Sequence, residues 1–431
     1  MSVCPDRIVD YLERSEGRAA AMLSGLVRIP TVNPYSGDRR PSGEAAGQAF
    51  AAKRMKELGG QTRFISVPSD VYSRAGMIGP RDREWQGRSC LVGRFVFGSG
   101  GRKIVLNAHM DTIGVDGYRG DPFDGRIEDG VIYGRGSSDC KSGVIAGLLA
   151  IEALQKTGAG LDCEILFETV VDEECNGGGA GTLACCFDGV LGDYCIVLDG
   201  DAKMVYPGCQ GICTADIVVE GRAGHGSLGG VSAIEKMLVV KDAVDRLVAE
   251  RAESRPGALV NIGVMRAGTA PWTVADHGYL SANVNYTYDE ARESEAAGRG
   301  FSGAQVRERL EALVAEAAAT DDWLRERPPV LVWMKDVPPF RMSDAGNQAE
   351  CERLLSITSD AYARSWGRPP AVKELPAWGD AAHLARIGRM PTVGMGAGEA
   401  GTAHTFSEHN RAENVTRTAA ATAIAVLELA K

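Results

Sequence analysis

A histidine and an aspartate stand two residues apart at the end of an apolar run in this 431-residue chain. The run KIVLNAHM (103–110) predicts a strand, on which residues i and i+2 point to the same side. His109 could then bind a metal ion while Asp111 holds the other ring N–H, which fixes the tautomer and basicity of the imidazole. The alternative interpretation of the pair is a polar strand end that caps a turn.

A second candidate ligand, Asp139, lies in the segment GRGSSDCKSG, directly before a strongly apolar predicted helix (142–154). A carboxylate at such a sharp turn could bridge two cations, and the alternative is an ordinary helix N-cap. A phosphate-binding loop ending at Lys141 and Ser142 is excluded because Arg135 and Cys140 stand where that pattern needs glycine.

Two adjacent glutamates follow the predicted buried strand CEILFETVV (163–171). Glu173 and Glu174 repel each other and the preceding Asp172, and no basic residue is adjacent. A cation would relieve the repulsion, and neighbouring side chains diverge, so that one could bind metal while the other faces a water. The alternative interpretation is a solvated acidic loop.

Three weaker signals complete the set. Asp199 ends the predicted strand YCIVLD (194–199), Asp201 follows two residues later, and His404 lies in the glycine-rich loop GTAHTFSEHN. Most of these features lie at or just after the carboxyl ends of predicted strands, where open α/β sheets place their sites. A set of His, Asp and Glu without Cys suits Zn²⁺, Mn²⁺ or Co²⁺.

The elements that must position these residues indicate an α/β fold with two domains. Helices are predicted over 6–28 and 43–59, and the strands named above alternate with helices. From about residue 212 the order changes to β-α-β-β-α, which is typical of a compact unit with its own core. We predict a discontinuous domain (1–211 and 328–431) with a central, mostly parallel sheet flanked by helices, and an inserted, smaller α+β (ferredoxin-like) domain (212–327).

Composition and charge narrow the function classes. Hydrophobic residues make up 44% and charged residues 24%, which excludes disorder and fibres. The net charge of −10 argues against nucleic acid or an anionic membrane as partner, because both attract basic surfaces. The first residues are too charged for a signal peptide, no apolar run reaches about 18 residues, and the eleven cysteines fit a reducing cytoplasm.

The ordered set of motifs resembles one enzyme family nearly end to end. The motifs are His109-Met-Asp111, GRGSSDCKSG, Asp172-Glu173-Glu174, YCIVLD, GRAGHGS and AHTFSEHN. They are similar to those of the co-catalytic metallopeptidases and amidohydrolases, the family of glutamate carboxypeptidase, acetylornithine deacetylase, succinyl-diaminopimelate desuccinylase and aminoacylase. The resemblance implies a hydrolase of C–N bonds with one or two divalent ions (Zn, Mn or Co), a small-molecule substrate and a homodimer.

The resemblance also implies a role for each matched residue. The implied metal ligands are His109, Asp139 as the bridge, Glu174, Asp199 with Asp201 as its rival, and His404 with His409 as its rival. Glu173 would be the general base that takes a proton from a metal-activated water, and Asp111 would stand behind His109. His225, in GRAGHGS, looks like the family residue that reaches an active site across a dimer, so that the inserted domain would serve as lid and dimerisation domain.

The substrate region departs from the family pattern. Trp272 and Thr273 stand near the position of an expected Asn, and Asn285 stands where an Arg would clamp a carboxylate. Trp272 or Trp378 could line a pocket for a flat substrate or pack in the core. Peptides or N-acyl amino acids are the default substrates. The alternative, an aminohydrolase of the nitroanthranilate type, would release ammonia from an aromatic amine, and the second alternative is a non-catalytic binding relative.

Overall fold

The computed structural model describes residues 5–157 and 160–431. Its strands are β1 (Gln61–Ser66), β2 (Ser89–Phe97), β3 (Arg102–His109), β4 (Ile127–Glu128), β5 (Val131–Tyr133), β6 (Cys163–Val170), β7 (Tyr194–Val197), β8 (Met204–Val205), β9 (Gly208–Cys209), β10 (Gly211–Glu220), β11 (Gly224–His225), β12 (Val260–Ala267), β13 (Thr273–Val274), β14 (His277–Tyr286), β15 (Val330–Val337), β16 (Phe340–Arg341), β17 (Ala371–Val372), β18 (Thr392–Gly394) and β19 (His409–Arg411).

The helices alternate with these strands over most of the chain. They are α1 (Pro5–Glu13), α2 (Glu16–Val27), α3 (Ala45–Glu57), α4 (Val71–Arg74), α5 (Lys141–Lys156), α6 (Ala180–Phe187), α7 (Ala233–Ser254), α8 (Tyr288–Ala296), α9 (Ala304–Ala319), α10 (Asp322–Glu326), a 3-10 turn (Met342–Ala345), α11 (Gln348–Trp366), α12 (Ala381–Arg386) and α13 (Ala412–Leu429). The single helix predicted over 6–28 is wrong, because α1 and α2 are separate and the Ser15 hydroxyl donates to the Tyr11 carbonyl between them.

A six-stranded sheet in the order β1-β2-β6-β3-β7-β18 forms the centre of the larger part of the molecule. The pairs from β6 to β18 are parallel, whereas β1 and β2 add antiparallel at one edge. Alternate residues of β3 enter two different cores: Ile104 and Leu106 pack with α5 and α13, and Val105 packs with α6 and α12. The sheet therefore lies between two helical layers, and the predicted α/β class is confirmed.

A second, four-stranded antiparallel sheet has the order β12-β14-β10-β15 and packs α7 and α9 against one face in a core of its own. The strand β15 pairs with β10 from Ile212 to Val218, although the predicted boundary assigned it to the larger domain. Its pairing would move that boundary from residue 328 to the prolines after Val337. The division into two domains otherwise stays a prediction.

Two further features bear on the class of protein. Within residues 5–157 and 160–431, no helix combines the length and the apolar character that crossing a membrane requires. The ten cysteines in the same ranges are free thiols, and all but Cys175 are buried. They therefore act as small core residues, as their dispersed positions in the sequence indicate.

We expect Gly143→Ala to destabilise the protein through the contact of α5 with the end of β7. A Cβ at Gly143 would lie 1.9 Å from the Leu198 carbonyl oxygen, so the helix must move away from the strand that leads into Asp199. Overpacking of this kind costs about 1–3 kcal/mol. Gly17→Ala in α2 is the matched control, since a Cβ there meets nothing within 4 Å. Urea unfolding of both variants measures the difference; equal free energies of unfolding would contradict this account.

We expect His383, which is buried on α12 in the core that also holds Val105 and α6, to make the free energy of unfolding depend on pH. Its Nε2 lies 2.6 Å from the Gly178 carbonyl oxygen, and burial lowers its pKa from 6.5 to about 4. The unfolded chain therefore binds this proton more tightly, so that stability falls by up to about 3 kcal/mol as pH drops from 6.5 to 4. In His383→Gln, the free energy of unfolding, measured with urea at several pH values, should fall less between pH 6.5 and 4 than in the wild type. An equal fall in the two proteins would be incompatible with a neutral buried imidazole.

Candidate metal centre

The Asp139 carboxylate lies between two imidazoles. Its Oδ1 is 2.9 Å from His109 Nε2, and its Oδ2 is 3.2 Å from His404 Nε2. Each imidazole also faces a second carboxylate: His109 Nε2 lies 3.8 Å from Asp199 Oδ1, and His404 Nε2 lies 2.9 Å from Glu174 Oε1. The structure thus brings together all five predicted ligands, with one carboxylate shared by two similar halves.

The positions of these side chains follow from the topology of the six-stranded sheet. His109 ends β3, Glu174 follows β6 and Asp199 follows β7, and these parallel strands are neighbours. Their carboxyl ends therefore meet at one edge of the sheet. Asp139 lies in the turn before α5, and His404 lies in the loop before β19, in a left-handed conformation with φ 60°.

The electrostatics of this cluster favour a bound cation. Burial works to raise the pKa of Asp139, but hydrogen bonds from His109 and His404 hold it well below its usual range. The Glu174 carboxylate raises the pKa of His404 to about 12. Burial and the charge of Asp139 raise the pKa of Asp199. The carboxylates thus draw protons onto their neighbours, and a divalent ion would replace those protons.

Glu173 differs from its neighbour in having a free carboxylate. Its backbone N–H donates to Asp111 Oδ1 at 3.3 Å, but among the described residues no hydrogen bond or ion pair engages its side chain. Burial, together with the charges of Glu174, Asp380 and Asp199, raises the pKa of this carboxyl group well above its usual value. A group of this kind is suited to accepting a proton from a water beside it.

Asp111 joins the histidine to the two glutamates. His109 Nδ1 lies 2.9 Å from the Asp111 carbonyl oxygen and 3.6 Å from its carboxylate, so the backbone is the nearer partner. The carboxylate, which the sequence predicts to hold this N–H, is thus the more distant of the two acceptors. The Asp111 carboxylate also accepts the N–H groups of Glu173 and Glu174 and the side-chain amide of Asn33.

Glu408 supports the centre in a way that the sequence did not predict. Its buried carboxylate accepts the backbone N–H groups of Ser138 and Asp139 at 2.9 and 3.0 Å, and Arg135 Nη1 donates to it at 2.6 Å. Glu408 therefore fixes the turn that presents the shared carboxylate. Its position four residues after His404 was the only sequence signal, and spacing alone does not reveal such a contact.

The two rival residues lie in other surroundings. His409 is on β19, where its ring lies beside Tyr133 at a centroid distance of 5.6 Å and its Nδ1 is 3.0 Å from the Ser407 carbonyl oxygen. Asp201 forms a backbone bridge to Gly398. In the described part of the chain, no hydrogen bond or ion pair joins either residue to the cluster, so the geometry favours His404 and Asp199.

The predicted substrate residues lie apart from the cluster. His225 pairs across a short ribbon with Thr273, next to Trp272, which is 70% exposed. Among the described contacts, none joins His225 to a predicted ligand.

The Asn285 side chain donates to the Pro376 carbonyl oxygen at 2.9 Å and lies 3.3 Å from Gln210 Oε1. Trp378 is buried, and its indole N–H donates to the Pro338 carbonyl oxygen, so it packs in the core.

The donor set fits a divalent ion. One ligand atom from each of His109, Asp139 and Glu174 lies within 4.8 Å of the others, and His109, Asp199 and the Cys140 thiol form a second such group. Imidazole nitrogen with carboxylate oxygen is the donor set of Zn²⁺, Mn²⁺ and Co²⁺ sites. The residues present are therefore able to hold such an ion, although their roles as ligands stay predictions.

Comparison with known proteins gives the same relationship. The chain is 28% identical to an N-formyl-4-amino-5-aminomethyl-2-methylpyrimidine deformylase from Halalkalibacterium halodurans, over 94% of this chain and 92% of that protein. It is 24% identical to a succinyl-diaminopimelate desuccinylase from Methylorubrum populi, over 86% and 88% respectively. The solved structure of the dipeptidase Dug1p from Saccharomyces cerevisiae has a TM-score of 0.77 at 14% identity, covering 100% of this chain and 99% of that one, which shows the fold alone.

The family match itself extends over residues 105–428, which hold every candidate metal ligand. The resemblance that the motifs indicate is thereby confirmed at the level of the family. The chain belongs to Peptidase family M20/M25/M40, and it is a hydrolase that acts on C–N bonds.

Proposed function

We propose that the chain hydrolyses the amide bond of a small N-acyl amine, with Glu173 as general base beside a divalent metal ion. The observation that carries this proposal is the shared position of Asp139 between His109 and His404, with the buried Glu173 carboxyl group in the electrostatic field of the same cluster. A bound ion would supply a water of lowered pKa and would polarise the acyl oxygen.

The roles of the protein groups follow from their contacts. Glu173 would take a proton from the attacking water and deliver it to the leaving nitrogen, so that the amide yields a carboxylic acid and an amine. Its backbone is fixed by Asp111, which keeps the base in reach of the reacting atoms. His225, supplied by a second copy of the chain, would donate to the developing oxyanion. A homodimer and a cytoplasmic location stay predictions.

The substrate class is proposed from the departures at the substrate region. Asn285 cannot form the bidentate clamp of an arginine, and its amide is already bonded to Pro376. A substrate without an α-carboxylate suits this arrangement. A relative that aligns over 94% of the chain is named as a deformylase of an N-formyl aminomethylpyrimidine, and this N-formyl compound is an N-acyl amine on an aromatic ring. We therefore favour N-formyl or other short N-acyl derivatives of aromatic methylamines over N-acyl amino acids.

Metal content tests the shared carboxylate. We expect Asp139→Ala to lose all bound metal, because Asp139 faces both imidazoles, whereas Asp199→Ala and Glu174→Ala, which each remove the carboxylate beside one imidazole, should lose less. Elemental analysis after dialysis against Zn²⁺ or Mn²⁺ gives the ratio of metal to chain. His225→Ala is the control and should keep the metal while turnover falls. Unchanged metal content in Asp139→Ala would remove the basis of the proposal.

A substrate panel tests the reaction. Wild-type protein with Zn²⁺, Mn²⁺ or Co²⁺ should release formate from an N-formyl aminomethylpyrimidine, at least about tenfold faster than it cleaves N-acetyl amino acids or dipeptides. Glu173→Gln should lower kcat by about 10²–10⁴, because general acid–base groups contribute that much. Glu152→Gln, which alters a carboxylate paired with Arg18, should not. Release of ammonia from aminobenzoates, without formate, would instead establish the aminohydrolase alternative.

A further inference from the structure

The turn that carries Glu173 and Glu174 has an unusual backbone. Between β6 and α6, three residues other than glycine adopt left-handed conformations: Asp172 at φ 67°, Cys175 at φ 57° and Asn176 at φ 58°. Such conformations are costly for residues with a Cβ and persist only where the surroundings over-determine them. The shape of this turn therefore depends on groups outside it.

Arg83 spans this turn from one side to the other. Its Nη1 donates to Asp172 Oδ1 at 2.9 Å, and its Nη2 donates to the Cys175 carbonyl oxygen at 2.7 Å. The two residues enclosed between these contacts are the proposed base and the proposed ligand. The Arg83 side chain is only 4% exposed, and its guanidinium lies 4.3 Å from the centre of the Tyr35 ring. The guanidinium is therefore held in place on both its edge and its face.

Three other groups hold the same carboxylate, and the most distant of them is the Asn33 side-chain amide, which donates to Asp172 Oδ1 at 3.4 Å. The Tyr72 hydroxyl donates to Asp172 Oδ2 at 3.0 Å and accepts the Gly178 N–H at 3.0 Å, which ties the first residue of the turn to its far end. Arg88 Nη2 donates to Asp172 Oδ1 at 3.1 Å, although Arg88 is paired mainly with the buried Glu44. Among residues 5–157 and 160–431, only Arg83 bonds both the carboxylate and a carbonyl of the turn.

We infer that Arg83 is a positioning residue that holds the Asp172–Gly178 turn in the shape that presents Glu173 and Glu174 to the metal centre. Among the hydrogen bonds and ion pairs of the described residues, none joins Arg83 to either glutamate, so its effect passes through Asp172 and the Cys175 backbone. The planar fork of arginine reaches two acceptors at once, and a lysine at this position could reach only one. The inference rests on the proposed function, because it assigns the turn a base and a ligand.

The test uses Arg83→Lys and Arg83→Ala in the full chain. Zn²⁺ affinity is measured by competition with a chromophoric chelator, and kcat and KM are measured with the N-formyl aminomethylpyrimidine. We expect a loss of about 10–100-fold in Zn²⁺ affinity or kcat, as groups that orient metal ligands typically show, and a smaller change in KM. Millimolar guanidinium should restore part of the loss in Arg83→Ala but not in Arg83→Lys, where the ammonium fills the space.

Arg307→Ala is the control, since it removes a guanidinium from the buried Asp336, on the second sheet, at 2.9 Å. It should lower thermal stability and leave Zn²⁺ affinity and kcat within about twofold. If Arg83→Lys behaves in the same way, Arg83 is only structural and the inference is overturned. Should both Arg83 variants fail to fold, Tyr72→Phe replaces them. Tyr72→Phe should then lower Zn²⁺ affinity or kcat, by less than the loss expected for the Arg83 variants. Zn²⁺ affinity and kcat equal to those of the wild type would overturn the inference.

The proposed function is checked on wild-type protein before the variants are compared. Zn²⁺ binding and formate release by the wild type establish the metal centre independently of Arg83, and unchanged variants then refute the positioning role alone. A wild-type protein that binds no Zn²⁺ refutes both. The two failures are therefore distinguishable.

Discussion

One carboxylate shared by two imidazoles is the contact on which the rest of the centre depends. Asp139 faces His109 with one oxygen and His404 with the other, and each imidazole has a further carboxylate beside it. A single short side chain therefore sets the spacing of both halves. The close approach of α5 to the end of β7, where Gly143 leaves no room for a Cβ, brings the turn of Asp139 near enough to Asp199 for its charge to raise the Asp199 pKa. The packing of one helix on one strand thus fixes the geometry of the chemistry.

The acids of this region serve two different purposes. Asp139, Glu174 and Asp199 face the imidazoles, and their mutual repulsion requires protons or a cation. Asp172 and Glu408 are instead paired with arginines, with backbone N–H groups as further donors to Glu408. Burial still raises the pKa of both carboxyl groups, so the arginines offset only part of the cost of desolvation. The first group stays unbalanced, which is what a site prepared for a divalent ion requires.

The sequence allowed a prediction of the candidate ligands, most of which lie at strand ends, but not of the groups that support them. The alternation along β3 and the apolar character of β6 and β7 place His109, Glu174 and Asp199 at one edge of a parallel sheet, and the structure agrees. Arg83 and Tyr72 escaped prediction because they lie in a segment without periodicity and act through contacts about 90 to 100 residues distant. The pairing of β15 was missed because a short apolar run does not reveal which of two sheets it joins.

Fold and family together leave the substrate open, since one scaffold supports many reactions and the differences lie in the side chains around the centre. The TM-score of 0.77 to a dipeptidase at 14% identity illustrates how far the scaffold outlasts the sequence. In this chain the position expected to clamp a carboxylate holds Asn285, whose amide is engaged with the loop at Pro376. A substrate carboxylate at this position would have to displace that bond, and the neighbouring Arg251 guanidinium is already engaged by the Asn285 carbonyl oxygen and by Glu290. This local hydrogen bonding is the reason that we propose a substrate without a carboxylate at this position.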